Sequence, residues 1–475
     1  MRRPRGALAL AGVAACALGA CATRARSGPN TVSNQSPFVV VPLGLCEDYP
    51  EASRSIEEVR RDLALLKRAG VGILRVSFGW DGIEPQRGRF ELAFWDAFMA
   101  ETTAVGVRVI PYVAYTPRWE APAGASDYWR RPPRDLDAFA GAMRVLAGRY
   151  RGQIASWEIW NEPDNPDFWR GSVADYVALL AAGARAVRAA DPQAKVVLGG
   201  IAGHPQFAAE VLARPEIAGL VDVVNAHAYF ETWNPEPTEA LPGYVAAFAP
   251  ALAGGARPLW LAEVGYSAFR RDGAVSADVR ARFDYEHTLP FQAVELVRTI
   301  TLAFTRPEVA LLAWYEVKDP PPAAPVIGDE NNRHLGVAFS DWRPKPALNA
   351  LALVARLFGA GFQRLDDRLR VVRPAASHAE VHAFLTAAHH AVAVAWLPTD
   401  VPGLPAGDGQ ARDERVERLS LALPVIPLGA PRELDAEGRE RPLAAGRLVV
   451  AAGSFRIDDV QVKGGEVVLL DVAVQ

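Results

Sequence analysis

Between residues 37 and 359 the chain alternates short apolar runs with longer amphipathic segments. The short runs have the length and composition of buried strands, and segments such as Ser55–Ala69 have the spacing of a helix with one apolar face. Regular alternation of strand and helix produces a parallel sheet covered by helices. The pattern predicts a parallel α/β fold, with strand 1 at Phe38–Leu45 and the last helix at Ala347–Phe358.

Beyond Gly359 the pattern changes to the two-residue alternation of strands that have one buried face. Turn-forming dipeptides that contain glycine separate the runs. Six strands are predicted: Leu369–Val372, Val381–Leu385, Ala391–Leu397, Leu419–Leu423, Leu448–Val450 and Val467–Val472. We expect residues 360–475 to form a small antiparallel β-sandwich packed on the α/β part of the chain, where it either covers apolar surface or binds a ligand.

The first 36 residues are predicted to be a targeting segment and a tether. Arg2, Arg3 and Arg5 precede an apolar run from residue 7 to residue 20, which is too short to cross a bilayer as an ordinary helix. Leu18-Gly19-Ala20-Cys21 resembles a bacterial lipobox, which implies residues 1–21 as a lipoprotein signal and lipidation at Cys21. An ordinary secretory signal is the alternative. Residues 22–36 lack periodicity and are expected to form a flexible tether between a membrane surface and the folded part of the chain.

Charge and cysteine content exclude several classes of protein. The net charge of −4 becomes −7 once the signal, which holds three arginines and no acids, is removed. No basic run that would favour nucleic acid lies outside the signal. Only Cys46 remains beside Cys16 and Cys21 in the signal region, so a disulfide framework is excluded. The membrane is expected to be contacted through the lipid alone, and the sequence does not indicate an oligomeric state.

Two apolar runs end in glutamate, and they are the strongest sign of chemistry in the chain. Ser156–Pro163 ends in Asn161, Glu162 and a proline, which cannot donate to a sheet ladder. Leu259–Tyr266 carries Glu263, which lies 101 positions after Glu162. Both carboxylates are therefore predicted at strand ends, on the rim where parallel barrels hold their chemistry.

These two motifs resemble those of the clan A retaining glycoside hydrolases, most closely family 39, with family 5 second. The resemblance implies a (β/α)8 barrel over residues 37–359, with Glu162 as acid/base at the end of strand 4 and Glu263 as nucleophile at the end of strand 7. It also implies that Asn161 binds the 2-hydroxyl of the sugar. Two such carboxyl groups about 5 Å apart repel by about 3 kcal/mol when both are ionised, so one is expected to stay protonated.

Four further residues are candidate substrate-binding groups. Arg75 is predicted to point into the barrel, where it supports the nucleophile or forms a structural ion pair with Glu158. His227, near the end of strand 6, is expected to donate to a sugar hydroxyl or to the nucleophile, although a lone histidine is often a bonded core residue. The resemblance adds Tyr229 beside it and places Trp314, on strand 8, beneath the sugar.

The expected activity is double-displacement hydrolysis of O-glycosidic bonds in a β-linked oligo- or polysaccharide. No cofactor or metal is expected, because the chain has no HExxH or CxxC motif and no glycine-rich phosphate loop after strand 1. The exported protein would lie on the periplasmic or outer face of a membrane. The alternative is a lipoprotein that binds glycan, or acts as a scaffold in a surface polysaccharide system, without cutting sugar.

Overall fold

The computed structural model describes residues 37–50, 54–121, 123–401, 403–404, 408–441, 443, 447–451 and 453–475. The predicted signal, Cys21 and the tether lie outside these residues. Phe38–Gln475 form a single compact unit. None of the helices in the described ranges is both long enough and apolar enough to cross a membrane.

Eight strands alternate with eight helices in the first part of this unit, not counting single-turn helices. Their bounds are β1 Leu43–Glu47, α1 Ile56–Ala69, β2 Ile73–Gly79, α2 Ala93–Ala104, β3 Arg108–Ala114, α3 Leu136–Arg149, β4 Ser156–Asn161, α4 Val173–Ala190, β5 Lys195–Gly200, α5 Pro205–Leu212, β6 Val224–Ala228, α6 Leu241–Ala247, β7 Leu259–Val264, α7 Leu289–Thr305, β8 Val309–Tyr315 and α8 Pro346–Phe358.

The eight strands form one parallel sheet in the order β5, β4, β3, β2, β1, β8, β7, β6. Isolated parallel bridges from Val197 to Val223 and from Ile201 to Ala226 join β5 to β6, so the sheet closes on itself. The predicted (β/α)8 barrel is confirmed. In this arrangement β8 lies four strands away from β4, on the opposite side of the barrel.

Helix ends follow the capping residues in the sequence. The Ser55 hydroxyl accepts a hydrogen bond from the Glu58 amide at the start of α1, and Gly70 adopts a left-handed conformation with φ 72° at its end. The sequence predicts a helix around Phe283–Phe304, and in the structure that helix begins later. Thr288 is its N-cap and Pro290 lies in its first turn, where a missing amide hydrogen costs nothing, so α7 starts at Leu289.

The prediction also places the first strand too early in the sequence, at Phe38–Leu45. Val39 pairs with Phe362 through two backbone hydrogen bonds of 2.9 Å, and β1 starts only at Leu43. Pro42 lies between these two pairings and cannot donate to either sheet. The sequence predicts strand 6 at Val221–Tyr229 and strand 8 at Val309–Val317, whereas β6 spans Val224–Ala228 and β8 ends at Tyr315.

The barrel interior changes from apolar to polar along the strands. Ile73, Ile110, Ala262 and Leu311 form a small buried cluster inside the barrel. Two residues beyond Ile73 on the same face of β2, Arg75 occupies the next layer and is only 1% exposed. The polar residues of the site therefore rest on a packed apolar layer, which holds their backbone in place.

Residues after α8 form two antiparallel sheets, as predicted. The four-stranded sheet has the order β10, β13, β17, β16 and the six-stranded sheet has the order β15, β14, β18, β12, β11, β9. The strands are β9 Phe362–Arg364, β10 Arg370–Val372, β11 Glu380–Thr386, β12 His390–Trp396, β13 Val416–Leu423, β14 Arg432–Leu434, β15 Glu440–Arg441, β16 Leu448–Ala451, β17 Ser454–Lys463 and β18 Val467–Ala473.

The six-stranded sheet is buried on both faces. Along β18, Val467 and Leu469 join the barrel's hydrophobic core, whereas Val468 and Leu470 join the core between the two sheets. Strand β12 divides its side chains in the same way. Because successive side chains of a strand point to opposite faces, this alternation shows that the sandwich covers the apolar surface of the barrel.

Candidate active site

A single large cleft opens at the carboxyl ends of the barrel strands. Its volume is about 1220 Å³, and its lining includes Asn161, Glu162, His227, Tyr229 and Glu263. The long loop after β8 forms one wall, with residues from Pro320 to Asn332 facing the cleft, as the sequence predicts. An open groove of this size admits several sugar units.

The end of β4 places two polar side chains in the cleft. Asn161 is the last residue of the strand, and Glu162 follows it with a φ of 45°, in the left-handed region that few residues other than glycine adopt. Asn165, three residues on, donates a hydrogen bond of 2.8 Å to Glu162 Oε2. Glu162 is 6% exposed, so its carboxyl group is held in a largely desolvated position.

Glu263 lies in β7 and has both carboxyl oxygens bonded. Arg75 Nη1 donates to Oε2 at 2.6 Å, and the Tyr229 hydroxyl donates to Oε1 at 2.6 Å. Hydrogen bonds to an ionised carboxylate are stronger than neutral ones, and they favour the charged form. These contacts fix the orientation of Glu263 and stabilise its negative charge.

Arg75 makes both of the contacts considered for it, with Glu263 and with Glu158. Besides Glu263, it contacts Glu158 through Nε at 2.9 Å and Nη2 at 2.8 Å, and its Nη2 also donates to Asn161 Oδ1 at 2.7 Å. The guanidinium lies 4.4 Å from the centre of the Tyr112 ring. The buried cation therefore connects the interior of the barrel to the rim.

His227 contacts Glu162 rather than the predicted partner. Its Nδ1 lies 2.8 Å from Glu162 Oε1 but 3.7 Å from the nearest oxygen of Glu263, which is too far for a hydrogen bond. The ring packs over Gly200, where an added Cβ would lie 1.9 Å from Nε2. Only glycine leaves room for the imidazole in this orientation, and bonding of His227 to a sugar hydroxyl stays a prediction.

The two glutamates come together across the cleft. One oxygen of each, with one ring nitrogen of His227, lie within 4.8 Å of one another. Burial raises the pKa of Glu162, with the negative charge of Glu263 adding to the effect against opposition from His227 and Asn165. Burial also acts to raise the pKa of Glu263, but His227, Arg75 and Tyr229 outweigh it, so the pKa is lowered. The two pKa values are displaced in opposite directions, which favours a protonated Glu162 beside an ionised Glu263.

The prediction for Trp314 is wrong. Its side chain is fully buried and belongs to the barrel's hydrophobic core, away from the cleft. Tyr315, the next residue, lines the cleft instead. Leu311 points into the barrel, so positions 313 and 315 share its face, and Trp314 faces the helices.

Three cleft residues were missed by sequence reasoning. Asn165 bonds to Glu162, Tyr315 lines the floor, and Asp48 accepts a hydrogen bond of 3.0 Å from the Tyr112 hydroxyl. All three follow or end a predicted strand, and only that position could have indicated them. Asp48 comes directly after β1, at the same rim as the two glutamates.

Glu162, His227 and Glu263 are grouped closely enough to hold a metal ion. The surroundings oppose one, because the Arg75 guanidinium lies 2.6 Å from Glu263 and its positive charge repels a divalent cation. The Tyr229 hydroxyl occupies the other oxygen of Glu263. The same three side chains can perform proton transfer and nucleophilic attack without a metal.

Comparison with known proteins gives partial matches in sequence. The glycoside hydrolase family 42 model, described as beta-galactosidase, matches residues 48–124. Endo-1,4-beta-xylanase C of Phanerodontia chrysosporium is 30% identical over 131 residues, which is 26% of this chain and 31% of the xylanase. The match therefore spans less than a third of that relative.

Solved structures match nearly the whole chain in fold. A family 39 glycoside hydrolase from Bacteroides cellulosilyticus WH2 has a TM-score of 0.64 at 19% identity, covering 92% of this chain and 82% of its own. A monomeric beta-xylosidase from Caulobacter crescentus CB15 has a TM-score of 0.63 at 18% identity, covering 92% and 98%. The chain has the fold of the family 39 glycoside hydrolases. The fold implied by the sequence resemblance is confirmed.

Proposed function

We propose that the protein is a retaining glycoside hydrolase that cleaves β-linked oligo- or polysaccharides. One observation carries the proposal: two buried glutamates lie at the ends of β4 and β7 with oxygens within 4.8 Å of each other and with pKa values displaced in opposite directions. Retaining enzymes hold their two carboxyl groups about 5 to 5.5 Å apart. A larger separation would leave space for water and would favour inversion.

In the first step Glu263 attacks the anomeric carbon while Glu162 gives its proton to the glycosidic oxygen. The bond between carbon and leaving oxygen breaks, the leaving sugar departs as an alcohol, and the remaining sugar is esterified to Glu263. Asn161, held by Arg75 at 2.7 Å, is placed to bind the 2-hydroxyl. That contact strengthens as positive charge develops on the sugar ring.

In the second step Glu162, now ionised, takes a proton from water. The resulting oxygen nucleophile attacks the anomeric carbon, and the ester bond to Glu263 breaks to release the sugar with its original configuration. His227, 2.8 Å from Glu162, and Asn165 hold the carboxyl group in position through both steps. Arg75 and Tyr229 do the same for Glu263 and stabilise it as a leaving group.

The substrate class follows from the cleft and from the relatives. The beta-xylosidase and the endo-1,4-beta-xylanase are both named for β-linked xylose, and we extend to this chain only the β linkage. The N-terminal lipobox supports placement of the enzyme on a membrane through lipid on Cys21. A surface or periplasmic glycan is the corresponding substrate.

The test uses aryl β-glycosides with good and poor leaving groups. Glu162→Gln removes the proton donor and is expected to lower kcat/KM for the poor leaving group by about 10² to 10⁴ fold, with a much smaller effect on kcat/KM for the good one, whose departure needs no proton. A 2-fluoro glycoside that forms a stable ester should label Glu263, as detected by peptide mass spectrometry. Near-normal turnover of the poor leaving group by Glu162→Gln would contradict the roles assigned here.

The same material tests the alternative of a non-catalytic glycan-binding or scaffold protein. That alternative expects glycan binding by the wild-type protein, unchanged in Glu162→Gln and Glu263→Gln, with no new reducing ends formed. Hydrolysis by the wild-type protein and its loss in either variant would exclude it.

A further inference from the structure

A group of carboxylates at the edge of the cleft takes no part in the reaction described above. Glu47 ends β1, Asp48 follows it, and Glu316 follows β8. Cys46 pairs with Tyr315, so Glu47 and Glu316 come next to each other at the rim of two neighbouring strands. All three line the cleft, and we refer to them together as the acid pocket.

Glu316 is the unusual member of the acid pocket. It is 5% exposed, and among the described residues nothing donates a hydrogen bond to its carboxyl group. A buried carboxylate without a partner is costly, and proteins keep few of them. Since the side chain lines the cleft, its missing partner can be supplied by a ligand.

The nearby cations do not neutralise the acid pocket. The ammonium of Lys318 lies 3.0 Å from Glu47, but it is shared with Glu58 and Asp62, each at 3.1 Å. The single positive charge of Lys318 is thus shared among three carboxyl groups, and Asp48 and Glu316 add two more.

The two neighbouring arginines are engaged as well. Arg75 is already bonded to Glu158 and Glu263. Arg61 pairs with Glu57 and lies over the ring of Trp342. When its carboxyl groups are ionised, the acid pocket therefore holds negative charge in excess of the cations around it.

The titration of these groups reflects the shortage of cations, because without one the carboxyl groups keep their protons to higher pH. Burial raises the pKa of Glu47 to about 8, against the opposing effect of Lys318. Burial also raises the pKa of Glu316 well above its usual range, and the negative charges of Glu47 and Asp48 add to it. A cation bound beside these carboxyl groups would oppose the shifts.

The acid pocket lies on the side of the cleft that holds the sugar retained on the enzyme. Glu162, which protonates the leaving group, follows β4, and β8 is on the opposite side of the barrel. Asp48 accepts a hydrogen bond from Tyr112, whose ring lies 4.4 Å from the guanidinium of Arg75. Arg75 in turn binds Glu263, so the acid pocket lies beside the nucleophile. A sugar chain that extends from the anomeric carbon away from Glu162 runs toward the acid pocket.

We infer that the acid pocket binds a free amino group on the glycone side of the substrate, so the glycan contains an amino sugar that is not acetylated. An ammonium group supplies both the donor that Glu316 lacks and the positive charge that the three carboxylates lack. A uronic acid would be repelled at the same position, and a neutral hydroxyl would leave the excess charge in place. The inference rests on the proposed function, because it uses the orientation of the sugar set by the two catalytic glutamates.

Calorimetry on the slow Glu162→Gln protein tests this inference without hydrolysis. The probes are chitosan oligosaccharides, which carry free amino groups, and the same chains after complete N-acetylation. We expect the amino form to bind at least about tenfold more tightly than the acetylated form. This ratio of affinities corresponds to the free energy of one partly buried hydrogen bond to a charged group. The preference should weaken at high salt, because charge attraction is screened.

Glu316→Gln added to the same protein should reduce the preference to about threefold or less and leave binding of the acetylated chains unchanged. Glutamine has the same shape and Glu316 makes no hydrogen bond in the described structure, so the fold should tolerate it. Glu216→Gln, on an exposed glutamate outside the cleft, is the matched control for loss of one charge and should change neither affinity.

The inference is overturned if the acetylated chains bind as well as the amino chains, or if the preference survives in the Glu316→Gln protein. If the Glu316→Gln protein does not fold, the salt dependence of the preference for amino chains in the Glu162→Gln protein tests the inference instead. A preference that does not change with salt is not electrostatic and would overturn the inference. Failure of the proposed function looks different: no aryl glycoside is cleaved and Glu263 is not labelled, while binding of the amino chains is still measurable.

Discussion

The barrel contains two buried arginines in nearly identical chemical settings. Arg75 and Arg298 are each 1% exposed, and each contacts two carboxylates. Arg75 binds Glu158 and Glu263 at the rim, whereas Arg298 binds Glu239 at 2.5 Å and also Glu295.

The two clusters differ in what lies beyond the carboxylates. Glu263 faces the open cleft, opposite Glu162. Glu239 accepts a hydrogen bond of 2.7 Å from the indole of Trp396, which belongs to the sandwich, and Glu295 accepts one of 2.8 Å from Thr238. The cluster around Arg298 is therefore closed by protein. A buried arginine between carboxylates does not by itself indicate catalysis. Catalysis is indicated when one of the carboxylates faces a cleft that a substrate can enter and a proton donor lies opposite it.

Removing one carboxylate from each cluster gives the largest contrast. Glu263→Gln is expected to lower kcat/KM by at least about 10⁴ fold, since the nucleophile is lost while the amide keeps the shape. Glu295→Gln, the matched change at the closed cluster, should leave kcat/KM within about threefold. Comparable losses in the two variants would mean that the rim cluster has no special role.

Arg298→Met should affect stability instead of chemistry. It leaves Glu239 and Glu295 buried without their cation, which typically costs about 3 to 5 kcal/mol in the free energy of unfolding. Denaturant titration measures the loss. Arg214→Met breaks an exposed pair with Glu210 and should cost about 1 kcal/mol or less, so similar values for the two would contradict burial of the Arg298 charge.

Tyr229→Phe tests the electrostatic support of Glu263 at the rim. Loss of a hydrogen bond to a charged group should lower kcat by about 10 to 100 fold. Glu263 must be ionised to attack, and the Tyr229 hydroxyl helps to lower its pKa, so activity is lost as pH falls through that pKa. Without the hydroxyl the pKa rises.

The acidic limb of the pH profile is therefore expected at higher pH in Tyr229→Phe. Tyr285→Phe removes a hydroxyl that bonds Asp413, far from the cleft, and should leave the profile where it is. An acidic limb that stays in place in Tyr229→Phe would show that Tyr229 does not tune the nucleophile.

A metal chelator should have the smallest effect. The Arg75 guanidinium beside Glu263 opposes a divalent cation, so exhaustive dialysis against EDTA is expected to leave kcat/KM unchanged. If activity were lost and then returned when a metal was added, the cluster of Glu162, His227 and Glu263 would be a metal site that the reaction requires.

Local pattern was enough to place the barrel and the two catalytic candidates. Helices α3 and α4 have the predicted bounds, because each begins just after a capping side chain, Asp135 or Ser172, and carries a clear apolar face. The glutamates at the rim followed from apolar strands that end abruptly. These features depend on neighbours in sequence, which a sequence shows directly.

The misses share a different cause. Trp314 was assigned to the wrong face of β8, because a one-residue error in strand phase exchanges the two faces. The contact of His227 with Glu162 depends on close approach of β6 to Gly200, and the Arg298 cluster joins residues from the barrel and the sandwich. Such partners are distant in sequence and are set by packing, which periodicity does not encode.

The pairing of Val39 with Phe362 limits how the protein can be shortened. A chain that stopped at Phe358 would lose the strand that holds Val39 and would uncover Phe304, whose ring stacks on Phe362 at 4.5 Å. The catalytic half could not be excised as a minimal reagent or exchanged between enzymes by itself. Any engineered chimera has to carry the barrel and its sandwich together.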